Sequence, residues 1–369
     1  MHWKDSFTRL GALVAMVAAL AACGGNGDTS AQPTTTSNPT REAPTRLAGV
    51  KDYLVDHTQR LTEFTGRFQA DARRYYRLAD ASGLDYQTLW GRRRSEVAPL
   101  VERLKRSWIQ GNPYYERVEG VVAGTPSLAE FDVILDAGSS AAEDPQSAVP
   151  FDLTLPDGTV LEQPGNLFNL TEGALWGTLP AGLPPSTPVD LDGDGREEFG
   201  EVLPDARLLT AAAAQFDRSA KELDREARAW RPTDSDAFTA LVVMVPTMSE
   251  YFGQWKESRF VAGQGSDSES FNVVSRLSDI DDILTGLDVI YAGVKSRIAK
   301  IDGAQARQTD RELADLKSFI GDLHRRERAG ESFAPEQADI LGAEAQERGT
   351  AIAGQISQAA AALGVEIAQ

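Results

Sequence analysis

Apolar residues recur every three or four positions along most of the chain, the spacing that places them on one face of an α-helix. In residues 47–80 they form a single stripe: Leu47, Val50, Leu54, Leu61, Phe64, Phe68, Tyr75 and Leu78. A second helical pattern covers residues 86–109, and Gly111-Asn112-Pro113 is expected to end it because proline disrupts a helix interior. A short helix should then follow over residues 114–122.

Helical spacing returns in the second half of the chain and predicts five further helices. They are expected from Ala206 to about Ala227, over 236–262 with a kink at Pro246, over 269–300, around Leu313 to Leu323, and from Pro335 to about Leu363. Pro335 suits the first position of a helix, where the missing N–H does no harm. A shorter helix is expected to start at Ser127, because Ser127 and Glu130 have the spacing of a capping box.

About eight amphipathic helices with short connections favour antiparallel packing, so we predict an all-α fold with two four-helix bundles side by side. The helical domain is placed at residues 46–366, with the first bundle at about 46–177 and the second at about 206–366. Two loop insertions, 137–165 and 178–205, are rich in Pro, Gly and Asp and lack helical period. Irregular loops of this length inside a domain are usually functional or disordered.

Each insertion carries one recognisable motif. In the first, apolar and polar residues alternate on either side of Asp157-Gly158, which predicts a small β-hairpin. The second satisfies the calcium-loop template Asp-x-Asp-x-Asp-Gly followed by Glu. Its expected Ca²⁺ ligands are the side chains of Asp190, Asp192, Asp194, Glu198 and Glu201 and the carbonyl of Arg196. The segment before the loop, residues 184–188, is rich in proline and excludes an incoming helix. The motif would therefore be a calcium loop outside a helix–loop–helix hand. The alternative is an acidic solvated turn.

The N-terminus has the features of a bacterial lipoprotein signal. Positive charge at Lys4 and Arg9 precedes an apolar run from Leu10 to Ala22, which is too short to span a bilayer. The run ends in Leu-Ala-Ala-Cys-Gly, so we expect residues 1–22 to be removed and Cys23 to be lipidated. Residues 23–45, rich in Gly, Ser, Thr and Pro, should form a flexible tether. The expected location is extracytoplasmic, anchored to the membrane by this N-terminal lipid.

Net charge and cysteine content limit the kinds of partner that the protein can bind. The formal net charge is −18, which argues against nucleic acid because phosphate binding needs a basic face. The charge is compatible with cations or a cationic partner. Cys23 is the only cysteine, so a disulfide or a thiolate metal site is excluded from the folded part.

One segment carries a family resemblance: Phe168-Asn169-Leu170-Thr171-Glu172-Gly173-Ala174-Leu175-Trp176-Gly177. It resembles the signature helix of the imelysin family, which includes the periplasmic iron-uptake component EfeO. That family usually reads Gly-x-His-x-x-Glu, then a small or apolar run that ends in Leu-Trp-Gly. Glu172 and the Leu-Trp-Gly end are kept, whereas Asn169 stands at the histidine position and Leu167 at the glycine position. The similarity extends over roughly residues 50–365.

The resemblance implies two pseudo-symmetric bundles and a metal site. Glu172 and the residue at position 169 would be its ligands, joined by Glu119 and by Asp132 or Asp136 as the following acid. The family's His-x-x-Glu pair suits iron, copper or zinc, but the amide of Asn169 is a hard, weak donor that is better matched to calcium. Asn169 and Glu172 also fit a capping box, and both interpretations remain open.

Two further pairs of residues, one acidic and one of histidines, complete the candidates. Asp279 and Asp282 are the second-half counterpart of the acids, with a solvated helix face as the alternative. His57 and His324 are expected on helix surfaces and are assigned no role. Catalysis has little support, because the chain lacks a His-Glu-x-x-His helix and a Gly-x-Ser-x-Gly elbow.

Taken together, the resemblance implies a lipid-anchored EfeO-type binding protein for iron or another metal ion, which it would pass to a membrane permease or a haem-peroxidase partner. One alternative is a non-catalytic interaction module with a degenerate metal site, stabilised by calcium. Another is a metallopeptidase, since imelysins carry a peptidase label; a zinc-dependent activity lost in Glu172→Ala would favour it.

Overall fold

The computed structural model describes residues 47–266 and 268–368. The expected signal peptide, the tether and Cys23 lie outside these residues. The described part of the chain contains eleven α-helices and two very short hairpins, so the predicted all-α fold is confirmed. None of these helices is at once long enough and apolar enough to cross a membrane.

The helices follow one another along the chain with two irregular interruptions. They are α1 (Ala48–Asp80), α2 (Tyr86–Val122), α3 (Ala129–Asp132), α4 (Leu167–Trp176), α5 (Ala206–Ala229), α6 (Asp234–Met244), α7 (Met248–Glu257), α8 (Arg259–Ala262), α9 (Arg276–Ile301), α10 (Gly303–Arg328) and α11 (Pro335–Leu363). A π-helical turn, Val133–Ala137, continues α3. Strands β1 (Leu153–Thr154) and β2 (Val160–Leu161) form the predicted hairpin, and β3 (Thr187–Pro188) pairs with β4 (Val202–Leu203).

Helix α2 corrects one prediction, because it runs without a break through Gly111-Asn112-Pro113. A side chain at Gly111 would lie 2.5 Å from the ring of Phe64, so the glycine allows α1 to approach closely. The Asn112 amide donates to Asp279 Oδ1 at 3.0 Å. These residues therefore serve packing against α1 and α9, and that packing outweighs the hydrogen bond lost at Pro113.

Three helix boundaries also differ from the predicted ones. The segment 236–262 is three helices, since α6 ends two residues before Pro246 and Ser258 separates α7 from α8. Helix α9 begins only at Arg276, with the Ser275 hydroxyl accepting from the amide of Leu277 at 3.3 Å. The expected capping box at Ser127 is absent from the described chain, because α3 starts at Ala129 without a side-chain cap. Pro335 does occupy the first position of α11.

The helices pack in two groups that meet along α2 and α9. In the first group α1 packs against α2 and α5, and α4 packs against α5. In the second, α9 packs against α10 and α6, and α11 packs against α7. Helix α5, which is predicted in the second bundle, thus packs with the first group. The division of the domain into two separate bundles stays a prediction.

Candidate functional site

The signature segment forms α4, and its N-terminal cap lies three positions before the predicted one. Asn166, and not Asn169, is the cap: its Oδ1 accepts from the amide of Asn169 at 2.8 Å. The Asn166 amide group donates to the carbonyls of Asp136 and Gly138 at 2.5 and 3.1 Å. The capping interpretation of Asn169 is therefore wrong. Gly177 ends the helix in the left-handed conformation, at φ 79°.

Glu172 is buried, with 3% of its surface exposed. Its carboxylate accepts hydrogen bonds from two backbone amides of the loop before α9: Asn272 N at 2.9 Å and Phe271 N at 3.2 Å. Each carboxylate oxygen thus has a partner within the protein. The side chain that the family pattern marks as a metal ligand is engaged in holding a loop.

A buried guanidinium lies beside α4 and is surrounded by carboxylates. Arg276, 2% exposed, lies 3.4 Å from Glu116, 3.4 Å from Asp279 and 3.6 Å from Asp136. Its Nε donates to Gln254 at 2.8 Å. Four elements supply these groups: α2, the π-helical turn, α7 and α9. A single cation therefore balances several buried acids.

Glu119 has one carboxylate oxygen without a hydrogen-bond partner among the described residues. Its Oε1 accepts from the hydroxyl of Tyr251 at 2.7 Å. Its Oε2 is buried and has no hydrogen-bond partner in the described part of the protein. Carboxylate oxygens of Glu116, Glu119 and Asp136 can all lie within 4.8 Å of one another, and we call these three residues the acid cluster. A buried, unpartnered carboxylate oxygen is costly unless a ligand satisfies it.

Two members of the acid cluster, Glu119 and Asp136, line a cavity of about 630 Å³. Of the predicted site residues, Glu119, Asp132 and Asn169 line this cavity, together with Asp136 and Arg276. Glu172 does not; it lines an adjoining space of about 10 Å³, shared with Asn169, Asp136 and Asp279. The rim of the main cavity adds exposed or half-buried acids, which are Glu143, Glu250, Glu257 and Glu269.

Sequence reasoning missed Glu116 and Arg276. A signal for each existed in the helical spacing, because Glu116 and Glu119 are three apart, as are Arg276 and Asp279. Asp282, the other member of the predicted second-half pair, lies elsewhere and accepts from Arg117 Nε at 3.0 Å. His57 is buried and packs against Tyr53, so its expected surface position was wrong.

Burial raises the pKa of the buried carboxyl groups in and beside the cavity, because the charged form loses its hydration. The pKa of Glu119 and that of Asp279 rise to about 7, and the pKa of Glu172 rises to about 8. Burial, reinforced by neighbouring carboxylates, also raises the pKa of Glu116 and that of Asp132, and burial raises the pKa of Asp136 against the opposing effect of Arg276. Arg276 opposes the shift for Glu119 and Asp279. The site therefore favours either protons or an additional cation.

These shifts predict that the metal-free protein loses stability as pH rises from about 4.5 to about 8. Between the ordinary pKa of 4.5 and the folded value of about 8 for Glu172, the folded state keeps a proton that the unfolded state has released. Each increase in pH within that window therefore favours unfolding. Melting temperatures measured in EDTA across this range test the prediction. A melting temperature that stays level or rises would contradict it.

The acidic loop at residues 190–201 closes the β3–β4 hairpin. Asp190, Asp192 and Asp194 can each place a carboxylate oxygen within 4.8 Å of the other two. Gly193 and Gly195 have φ of 91°, a conformation that favours glycine. The loop thus brings the three predicted aspartates together around sharp turns.

The remaining predicted calcium ligands are placed differently. The Glu201 carboxylate accepts from the amides of Leu191, Asp192 and Glu198 at 2.8–3.0 Å. Arg196 and Glu198 are exposed. The loop is held against α2 by Arg94, whose Nη2 donates to the Asp190 carbonyl at 2.9 Å. Calcium binding by this loop stays a prediction.

Comparison with known proteins places these features in one family. A search of curated proteins returns no match. A protein-family model described as imelysin, whose label also names it a peptidase family, matches residues 50–359. That range includes the signature helix α4, the acid cluster and the helices that surround the cavity. The chain belongs to the imelysin family.

Proposed function

We propose that this protein is a lipid-anchored, extracytoplasmic, EfeO-type binding protein that captures a metal ion in the 630 Å³ cavity for uptake. The observation that carries the proposal is the unpartnered Oε2 of Glu119 beside Glu116 and Asp136. A cation at this point would give that oxygen a partner and would offset the excess of buried negative charge. The N-terminal lipid would keep the site near the membrane.

The donor set favours a hard ion. The acid cluster offers carboxylate oxygens, with the hydroxyl of Tyr251 bonded to Glu119 at 2.7 Å. None of the residues that line the cavity is histidine or cysteine, and imidazole and thiolate are the ligands that copper and zinc prefer. Ferric iron is therefore proposed ahead of Cu²⁺ and Zn²⁺. A membrane permease or a haem peroxidase is proposed as the partner that receives the ion.

Metal titration of the purified full chain tests the proposal. Calorimetry with ferric citrate, Cu²⁺, Zn²⁺ and Ca²⁺ should detect one high-affinity transition-metal site. Glu119→Gln should weaken it by about 10- to 100-fold, because a neutral amide replaces the anionic ligand. The matched control is Glu63→Gln on the exposed face of α1, which should bind like the unmodified protein. Equal affinity in both variants, or no transition-metal binding at all, would overturn the proposal.

A second candidate is a calcium-stabilised interaction module, favoured by the convergence of Asp190, Asp192 and Asp194. Extracellular calcium loops bind with dissociation constants on the order of 10⁻⁴–10⁻³ M. Ca²⁺ at about ten times that constant should stabilise the protein by about 1.4 kcal/mol. Thermal melts with Ca²⁺ or Mg²⁺ measure the effect, and Asp192→Ala should abolish it. An identical Ca²⁺-induced rise in Asp192→Ala would exclude this loop as the binding site.

A further inference from the structure

The loop before α9 has an unusual backbone at the point where Glu172 holds it. Phe271 has φ of 56°, a conformation that is strained for a residue with a side chain. Surrounding contacts must maintain it. The amides of Phe271 and Asn272 both donate to the Glu172 carboxylate, at 3.2 and 2.9 Å. This pair of hydrogen bonds holds the strained turn in place.

The strained turn places an aromatic ring on the central cation of the site. The Phe271 ring lies 4.3 Å from the guanidinium carbon of Arg276, and the Tyr251 ring lies 4.5 Å from it. The guanidinium therefore contacts two aromatic rings, and these contacts restrict its position. In that position it contacts Glu116 and Asp136, two members of the acid cluster. A continuous series of contacts thus links Glu172 to the cluster.

We infer that Glu172 is a positioning residue for the cation site and is not one of its ligands: through the Phe271 backbone and ring it fixes Arg276, and Arg276 in turn sets the separation of the Glu116 and Asp136 carboxylates. The inference rests on the proposed function, because it concerns the same site. In this role the signature glutamate acts on the ion through other residues and does not coordinate it. Partners of this kind commonly change metal affinity by about 10- to 100-fold.

Cu²⁺ is a suitable probe because its EPR spectrum reports the atoms that coordinate it. The unmodified full chain, Glu172→Gln and Phe271→Gly are compared by Cu²⁺ titration and EPR. Glu172→Gln replaces one acceptor oxygen by an NH₂ group that faces a backbone N–H. Phe271→Gly removes the ring from Arg276 but leaves the amide available to Glu172, and glycine tolerates the backbone conformation. Each change should weaken Cu²⁺ binding by about tenfold and leave the EPR parameters of the bound ion unchanged.

The double variant decides between positioning and ligation. If both residues act through one series of contacts, Glu172→Gln/Phe271→Gly should bind Cu²⁺ no more than about threefold more weakly than the weaker single variant. If Glu172 coordinates the ion, the two losses should multiply to about a hundredfold, and Glu172→Gln alone should shift the EPR spectrum. Multiplying losses, a shifted spectrum or unchanged affinity in Glu172→Gln would each overturn the inference.

Further measurements distinguish a failure of this inference from a failure of the proposed function. Circular dichroism confirms that each variant is folded, and Phe271→Gly tests the contact series even if Glu172→Gln does not fold. Loss of Cu²⁺ binding in Glu119→Gln together with multiplying losses in the double variant would preserve the metal site and reject the positioning role. Failure of the unmodified protein to bind Cu²⁺ or ferric iron would reject both.

Discussion

Replacing Arg276 by methionine is expected to lower the free energy of unfolding by about 3–5 kcal/mol near neutral pH. The guanidinium is 2% exposed and lies within 3.6 Å of Glu116, Asp136 and Asp279. Methionine fills much of the same space, but it leaves these buried carboxylates without their cation. The loss should be smaller at a pH of about 5.5, since the raised pKa of each acid lets it take up a proton.

Urea unfolding followed by circular dichroism at both pH values measures this effect. Arg67→Met is the control, because Arg67 is exposed on α1 and takes part in no ion pair within the described residues. It should change stability by less than about 0.5 kcal/mol. A loss below about 1 kcal/mol in Arg276→Met, or one that is equal at both pH values, would show that the guanidinium does not balance these acids. An added metal ion should restore part of the stability by taking its place.

The second large effect is expected at the contact between the two helix groups. Gly286 of α9 lies so close to α2 that an added Cβ would be 2.3 Å from the carbonyl oxygen of Arg117. A backbone atom of a packed helix cannot move aside as a flexible side chain can. Gly286→Ala should therefore destabilise the protein by about 3 kcal/mol, although alanine favours the helix itself.

Chemical denaturation of Gly286→Ala beside Gly354→Ala separates the contact from helix propensity. Gly354 is exposed on α11 and has no atom within 4 Å of an added Cβ. Its replacement should stabilise the protein by up to about 1 kcal/mol, the usual gain from glycine to alanine in a helix. If both variants gained stability, α2 and α9 would not be in the tight contact described here.

The helices were predictable because their stability comes from an amphipathic face that is written into the spacing of apolar residues. The errors arose where tertiary contacts override local preference. Gly111-Asn112-Pro113 resembles a helix end, yet the packing of α1 against Gly111 and the bond from Asn112 to Asp279 keep α2 continuous. Similarly, the segment before α9 has helical apolar spacing, but Glu172 captures its amides at Phe271 and Asn272.

The candidate site was less predictable because its members are far apart along the chain. Glu116 of α2 and Asp136 of the π-helical turn meet Arg276 of α9 only in the folded protein, and spacing within one helix gives no information about such contacts. The family resemblance led to the correct region, since Glu119, Asp132 and Asn169 line one cavity. It could not indicate that Glu172 faces backbone amides, because that contact depends on the shape of a loop a hundred residues later.

The acid cluster lies in the first helix group, and the residues that contact it across the boundary lie in the second. Glu116 and Glu119 belong to α2, whereas Tyr251 and Arg276 belong to α7 and α9. Any change in the tilt between the groups would alter the distances among these side chains, so the affinity for the proposed ion would be thermodynamically linked to the tilt. The linkage is reciprocal. An ion that binds one tilt more tightly would stabilise that tilt, and a partner protein that binds both helix groups in the other tilt would lower the affinity for the ion. A forced change in tilt could therefore release the ion from the site without a competing ligand.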